Sequence, residues 1–279
     1  MVRGWHEQRV LITVRTYPVP AEKGIEVSCT AAISERGSWI RLFPVPYRRL
    51  PRDKRFSKYQ WIEVALKRAR KDPRPESYHL NIETIKLGQR LSPKRAWAER
   101  RGVLAPLMRP SLCAIRKEGD EHSFPTLGIF RPAKITRLQI AKVAADWTPK
   151  QKAILSQMSF EFETSPRQPL EKIPFEFRYE FTCHESDCKG HRLSCTDWEM
   201  AEAYRKWRKE YGDHWERPFR AKFERDMIQK YDTHFYVGTV HQHPKNWIIV
   251  GLFYPPKPEA KAQSDFFDRL LANDDASFS

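Results

Sequence analysis

The chain has 279 residues, 40% hydrophobic and 13% aromatic, enough apolar material for a packed core, which excludes a mainly disordered protein. Fifty Lys and Arg oppose thirty-five Asp and Glu, leaving a formal charge of +15 whose field attracts polyanions. No apolar run approaches the ~18–20 residues of a spanning helix, and the opening MVRGWHEQRVLITV lacks the apolar core and cleavage site of a secretory signal, so the expectation is a cytoplasmic or nucleoid-associated protein with no membrane partner.

Four segments rich in Val, Ile, Leu, Thr and Trp open the chain: VLITVRTYP, IEVSCTAAI, SWIRLFPVP and QWIEVALKR. Short gaps holding Gly24, Gly37 and several prolines separate them. This spacing predicts consecutive antiparallel strands in a curled sheet or small barrel. Residues 34–37 (SERG) read as a hairpin turn.

Residues 93–118 read as helical, with Pro93 suited to a helix start. Strand character returns at 126–130 and 133–140, and Pro149 opens a short helical stretch to 158. Residues 163–174 (ETSPRQPLEKIP) hold three prolines and few apolar residues, as a connector does.

A second unit follows. Residues 175–183 alternate as a strand, and a loop rich in Cys and His comes next. Thr196 and Glu199 have the spacing of a capping box, Thr as N-cap and Glu folded back onto it, ahead of a helix to about Tyr211. Trp198, Ala201, Tyr204, Trp207 and Tyr211 share one stripe of that helix, and Phe219, Phe223, Met227 and Tyr231 one stripe of a second. Two strands, 234–240 and 247–253, close the unit before Pro255, Pro256 and Pro258. The fold class is therefore α+β. A β-rich, barrel-like or curled N-terminal domain (1–160) and a connector (161–174) precede a smaller metal-stapled α/β domain (175–258) and a polar tail (259–279).

The loop carries the sharpest motif, Cys183-x4-Cys188-x2-His191-x3-Cys195, with Gly190 allowing a tight turn beside the ligands. Three thiolates and an imidazole are a common tetrahedral set for one structural zinc, and such a full set leaves no open position for chemistry. An iron–sulfur cluster usually takes four cysteines. Clustered cysteines with two distant ones, Cys29 and Cys113, suit a reducing compartment better than a disulfide scaffold.

Between residues 48 and 74 eleven basic residues face three acidic ones, with Tyr47, Phe56, Tyr59 and Trp61 interleaved. Cations beside flat rings suit nucleic acid, DNA or RNA, since charge tracks phosphates and rings stack bases. The expected footprint is Arg48, Arg49, Arg52, Arg55, Lys58, Arg68, Arg70, Lys71 and Arg74, extended by Arg95, Trp97 and Arg101. A further basic patch, Arg205–Arg225 on the helical pair, is mixed with acids and reads as a charged outer face.

The expected function is that of a non-enzymatic, nucleic-acid-binding accessory protein with one structural zinc. The alternative is a nuclease or modifying enzyme, with Asp72, Glu76, Asp197, Glu199, His241 and His243 as its acid–base or metal groups. A third reading is a protein-interaction subunit that uses the aromatic helices and the 266–271 patch of the tail. No phosphate-binding glycine loop, nucleophile elbow or zinc-deaminase pattern occurs.

Overall fold

A computed structural model describes residues 4–22, 25–122, 126–156, 168–241 and 243–257. The whole of the expected tail (259–279), with its 266–271 docking patch, lies outside the described residues.

Residues 10–14 of β1 (His6–Arg15) are all buried, more than a strand with one wet face allows. The reason is that β1 has packing on both sides. Its Val10 and Ile12 point into one core with Ala32, Leu42, Ile62 and Val64. Its Leu11 and Val14 point into another, shared with the second half of the molecule.

The first core is the inside of a barrel. β3 (Ile25–Ser34), β4 (Trp39–Val45), β6 (Ser77–Leu80) and β5 (Gln60–Arg68) follow β1 in spatial order, and β5 pairs back onto β1 to close it. Every pair is antiparallel except β4 with β6. β2 (Val19–Ala21) extends β3, and β7 (Lys86–Arg90) extends β5. The predicted turn joins β3 to β4, with Gly37 at φ +74°. Taken in barrel order, the five strands run 1-2-3-5-4-1, the Greek-key arrangement of OB-type barrels.

α1 (Lys94–Leu104) then leads to a second, seven-stranded mixed sheet. Its strands are β8 (Met108–Arg109), β9 (Leu127–Phe130), β10 (Lys134–Lys142), β11 (Phe175–Thr182), β12 (His191–Cys195), β13 (His234–Val240) and β14 (His243–Phe253). The spatial order is β10-β11-β12-β14-β13-β9-β8. Strands of residues 108–142, expected in the N-terminal domain, thus pair in this sheet. The stretch 93–118, expected to be helical, holds α1 and the start of α2 (Leu112–His122), with β8 between them. α3 (Pro149–Ser156) begins at Pro149 as expected.

One face of the second sheet carries α4 (Trp198–Tyr211), α5 (Glu216–Arg220) and α6 (Met227–Gln229), with a π-helical segment Ala221–Asp226 between the last two. Tyr204, Trp215, Phe219, Phe223 and Met227 bury into Phe177, Tyr179 and Phe235 of the strands. Phe219, Phe223 and Met227 of the second stripe are core; of the first, Ala201 and Tyr204 are buried, Trp198 and Trp207 half-buried and Tyr211 exposed. The opposite face packs on the barrel: Leu127, Ile129, Tyr236, Val250 and Phe253 meet Leu11, Val14, Ala31, Ile33 and Tyr59. The order is therefore barrel, sheet, helices. Where β14 crosses β1, a Cβ on Gly251 would come within 2.4 Å of Val14 Cγ1, so only glycine permits this approach.

Candidate metal centre and basic surface

β11 ends at Thr182, and the chain turns through 185–188, where the Cys188 N–H bonds the Glu185 carbonyl. Gly190, at φ +86°, then sends it back as β12. This hairpin holds Cys183, Cys188 and His191 together. The fourth donor is Cys113, in the first turn of α2. All four donor atoms lie within 4.8 Å of one another, with Cys113 Sγ 3.2 Å and Cys188 Sγ 3.4 Å from His191 Nε2. A Cys3His cluster is present, and its residues suit a metal ion.

Cys195 is not part of it, and the expected ligand set is corrected here. His191 and Cys195 begin and end one extended strand, about 13 Å apart at ~3.3 Å per residue. Donors to one ion sit within ~4 Å of each other at Zn–S lengths of ~2.3 Å. Cys195 is instead buried in the sheet–helix core, where burial holds its thiol well above its ordinary pKa.

Ser111 ties the two ligand-bearing segments together. Its hydroxyl accepts the Ala114 N–H at 2.9 Å at the start of α2 and donates to Glu185 in the hairpin. Burial, then the neighbouring Cys183 and Cys188, push the Cys113 thiol up to about 12. Burial also opposes ionisation of Cys188, but N–H groups of Cys183 and Gly190 outweigh it and hold that thiol low. Crowded thiols resist ionising together, and a divalent cation reverses this preference.

The carboxylates after the loop form a different constellation. Asp197, not Thr196, is the N-cap of α4: its Oδ1 accepts the Glu199 N–H at 2.6 Å, while the Thr196 hydroxyl faces the Ile249 carbonyl. The other Asp197 oxygen accepts the Leu252 N–H at 2.9 Å. Glu199 does not fold back on the cap; it accepts from the Tyr254 hydroxyl at 2.9 Å. Lys58, from the barrel, lies 3.8 Å from Asp197 and 3.6 Å from Glu199, and donates to the Leu252 carbonyl. Burial raises the Asp197 pKa, whereas Lys58 and Tyr254 overcome burial to lower that of Glu199. A small cavity beside this group is lined by Ile12, Val14, Arg15 and Trp198.

The expected footprint does not form one patch. Nine-residue β5 separates Arg52 and Arg55, before it, from Arg70 and Lys71, after it, by some 26 Å at ~3.3 Å per residue. Several members are structural. Arg74 is buried, forks onto Asp72 at 2.7 and 2.9 Å and donates to the Thr239 carbonyl of β13. Lys58 belongs to the carboxylate group above. Trp97 packs on Tyr59, Phe253 and Tyr254, and Arg101 pairs with Asp232 at 2.7 Å. Arg48 pairs with Glu26 at 2.8 Å, and Arg68 donates to the Ser77 carbonyl at 2.7 Å. Arg49 is half-buried, while Arg52, Arg55, Arg70, Lys71 and Arg95 are exposed.

The oligonucleotide-binding parts of OB-type barrels are the face of the second and third barrel strands and two flanking loops. In this chain that face lies under the second sheet. Ala31 and Ile33 of β3 are buried there, and Arg41 of β4 bonds the Thr126 carbonyl at 2.8 Å. One loop bonds across the junction from Tyr17 to Thr196, and the other through Arg74.

Three of the remaining candidates for an enzyme are also engaged. Asp72 is held by Arg74, Glu76 by the buried Arg41, and His241 Nδ1 lies 3.4 Å from Asp72 in the β13–β14 turn. His243 is exposed. Among the described residues no helix is long and apolar enough to cross a membrane.

Residues 108–271 match a family described as Domain of unknown function (DUF8757), and residues 6–106 match one described as Domain of unknown function (DUF8758). The division between the matches coincides with the division between barrel and second sheet. No curated protein matches the chain.

Proposed function

The chain belongs to the DUF8757 family, and we propose that it is a nucleic-acid-binding protein whose second sheet is fastened to α2 by one structural zinc. The observation that carries the nucleic-acid reading is the formal charge of +15. Such an excess costs self-repulsion unless a polyanion neutralises it. Exposed cations such as Arg52, Arg55, Arg70, Lys71 and Arg95 supply phosphate contacts.

Zinc is favoured because three thiolates and one imidazole complete a tetrahedron, the closed form of a structural site. Bound there, zinc would supply cross-linking and no chemistry. An accessory role is favoured over catalysis because Asp72, Glu76, Asp197 and Glu199 each have a basic side chain of this chain as partner.

Metal analysis of the purified chain, then incubation with labelled single- and double-stranded DNA and RNA with and without magnesium, tests both halves. One zinc per chain and retention without cleavage are expected. Magnesium-dependent cleavage would move the assignment to a nuclease. No retention of any polymer at low salt would remove the nucleic-acid reading.

A further inference from the structure

With the customary ligand face covered, the barrel presents another. Among the described residues, no strand of the second sheet pairs with β5 or β7, and Arg9, Glu63 and Lys86 are exposed on the outer surface of β1, β5 and β7. These three stand side by side, Arg9 opposite Glu63 and Glu63 opposite Lys86. The adjacent row places Trp61 next to Gly88. Together they line a groove of about 240 Å³ with exposed Leu87 at its side.

Three features point to a flat, anion-linked ligand. The Arg9 guanidinium lies over the Trp61 ring, 4.9 Å from its centroid, so a cation and an aromatic face already converge. Arg9's other partner is Glu35, an exposed pair at 2.9 Å, and surface pairs of this kind hold a side chain by only ~0–1 kcal/mol. A Cβ on Gly88 would stand 3.0 Å from the Trp61 carbonyl, so β7 approaches β5 closely beside this ring. The volume is below the ~300 Å³ at which ordinary small-molecule pockets begin. It suits a single ring on a longer chain better than a free cofactor.

We propose that this groove takes one unpaired base of a single-stranded nucleic acid. The base stacks on Trp61 in the place Arg9 now covers. Arg9 and Lys86 then meet the phosphates on either side, and Glu63 between them keeps the backbone to the groove's edges. The inference rests on the nucleic-acid reading above; of the 48–74 stretch it keeps Trp61 and Glu63, and it adds Arg9 and Lys86, from outside that stretch, as the cations beside the stacked base.

The test is fluorescence anisotropy of the full chain with a labelled 12-nucleotide single strand and with its blunt duplex, at low salt. Base–aromatic stacking is worth ~1–3 kcal/mol per base, so Trp61→Leu should weaken single-strand binding about 10-fold or more, while Trp61→Phe, which keeps a ring, stays within about 3-fold. Lys86→Glu, at an exposed site, should weaken it without altering the thermal midpoint. Single strand should be preferred to duplex. Wild-type binding that all three variants reproduce would overturn the groove and leave the nucleic-acid reading standing. So would a preference for duplex. Failure of the wild type to bind either probe would remove the reading itself.

Discussion

At the residue scale, two groups of side chains decide most. Cys113 and Cys195 are both cysteines remote from the Cys183–His191 hairpin motif or at its edge, yet only Cys113 reaches the donor cluster. Cys113→Ser should therefore purify with little or no zinc. Cys195→Ser should keep one zinc per chain and lose about 1–3 kcal/mol, the cost of a hydroxyl in an apolar site. Metal content and urea denaturation of the two variants separate the roles, and equal zinc loss in both would contradict the geometry. Cys195 was the natural fourth ligand by spacing. The alternation of His191, Leu193 and Cys195, one strand face, is the signal that places it out of reach.

The Asp72–Arg74 fork is the second such group. Burial alone would raise the Asp72 pKa, but bonds from Arg74 and Ser77 outweigh it and hold the carboxyl well below the ordinary carboxylate range. A depressed carboxyl contributes stability above its unfolded pKa of ~3.9 and loses it as pH falls through the folded value. Glu176, Glu180 and Asp232 are depressed too and add to the same acid limb, whereas Asp197, raised by burial, acts in the opposite sense. Asp72→Asn should cost about 3 kcal/mol at neutral pH, since it strands Arg74, and its stability should fall less steeply below about pH 4 than the wild type's. Chemical denaturation across that range checks both; an unchanged acid slope would exclude Asp72 from it.

At the element scale, the barrel–sheet junction depends on how closely β14 crosses β1. A methyl at position 251 meets Val14 Cγ1 at 2.4 Å, Val14 Cβ at 2.9 Å and Asp197 Oδ2 at 3.0 Å, and no flexible side-chain end is there to give way. Gly251→Ala should cost about 1–3 kcal/mol or more by overpacking. It should also disturb the Asp197 cap of α4, and urea denaturation with far-UV circular dichroism would register both; wild-type stability would show that β14 is free to shift. Nearby, Arg95, Ala96 and Trp97 hold left-handed backbone angles, with φ of 51°, 47° and 64°. Such angles cost ~1–2 kcal/mol per non-glycine residue, and the packing of Trp97 on Tyr59, Phe253 and Tyr254 opposes that cost.

At the scale of the whole molecule, the two halves share a core rather than a linker. Leu11, Ile129, Val250 and Phe253 are at most 4% exposed within it. A metal held by the Cys3His cluster would fasten α2 to the second sheet and therefore stabilise the barrel as well. Chelation should lower one cooperative thermal transition for the entire chain; two separated transitions would show that the halves fold independently. The shared core also explains why the charge of residues 48–74 does not act as one surface. A closed barrel sends the start and end of β5 to opposite ends, and the docking of the second sheet takes Lys58 and Arg74 into the interior.

Local pattern alone determined the strand-rich first half, the turn at Gly37, both helical stripes and three of the four clustered donors. Each follows from residues a few positions apart: alternation, helical spacing, and a glycine that permits a tight turn. Tertiary structure alone decided the rest. Cys113 joins His191 across 78 residues, β1 closes on β5, and β9 and β10 leave the barrel for the second sheet. Whether a cation binds a phosphate or an internal carboxylate is likewise set by which distant chain lies beside it. Sequence spacing carries no distance between segments that meet only when apolar faces from both are buried together.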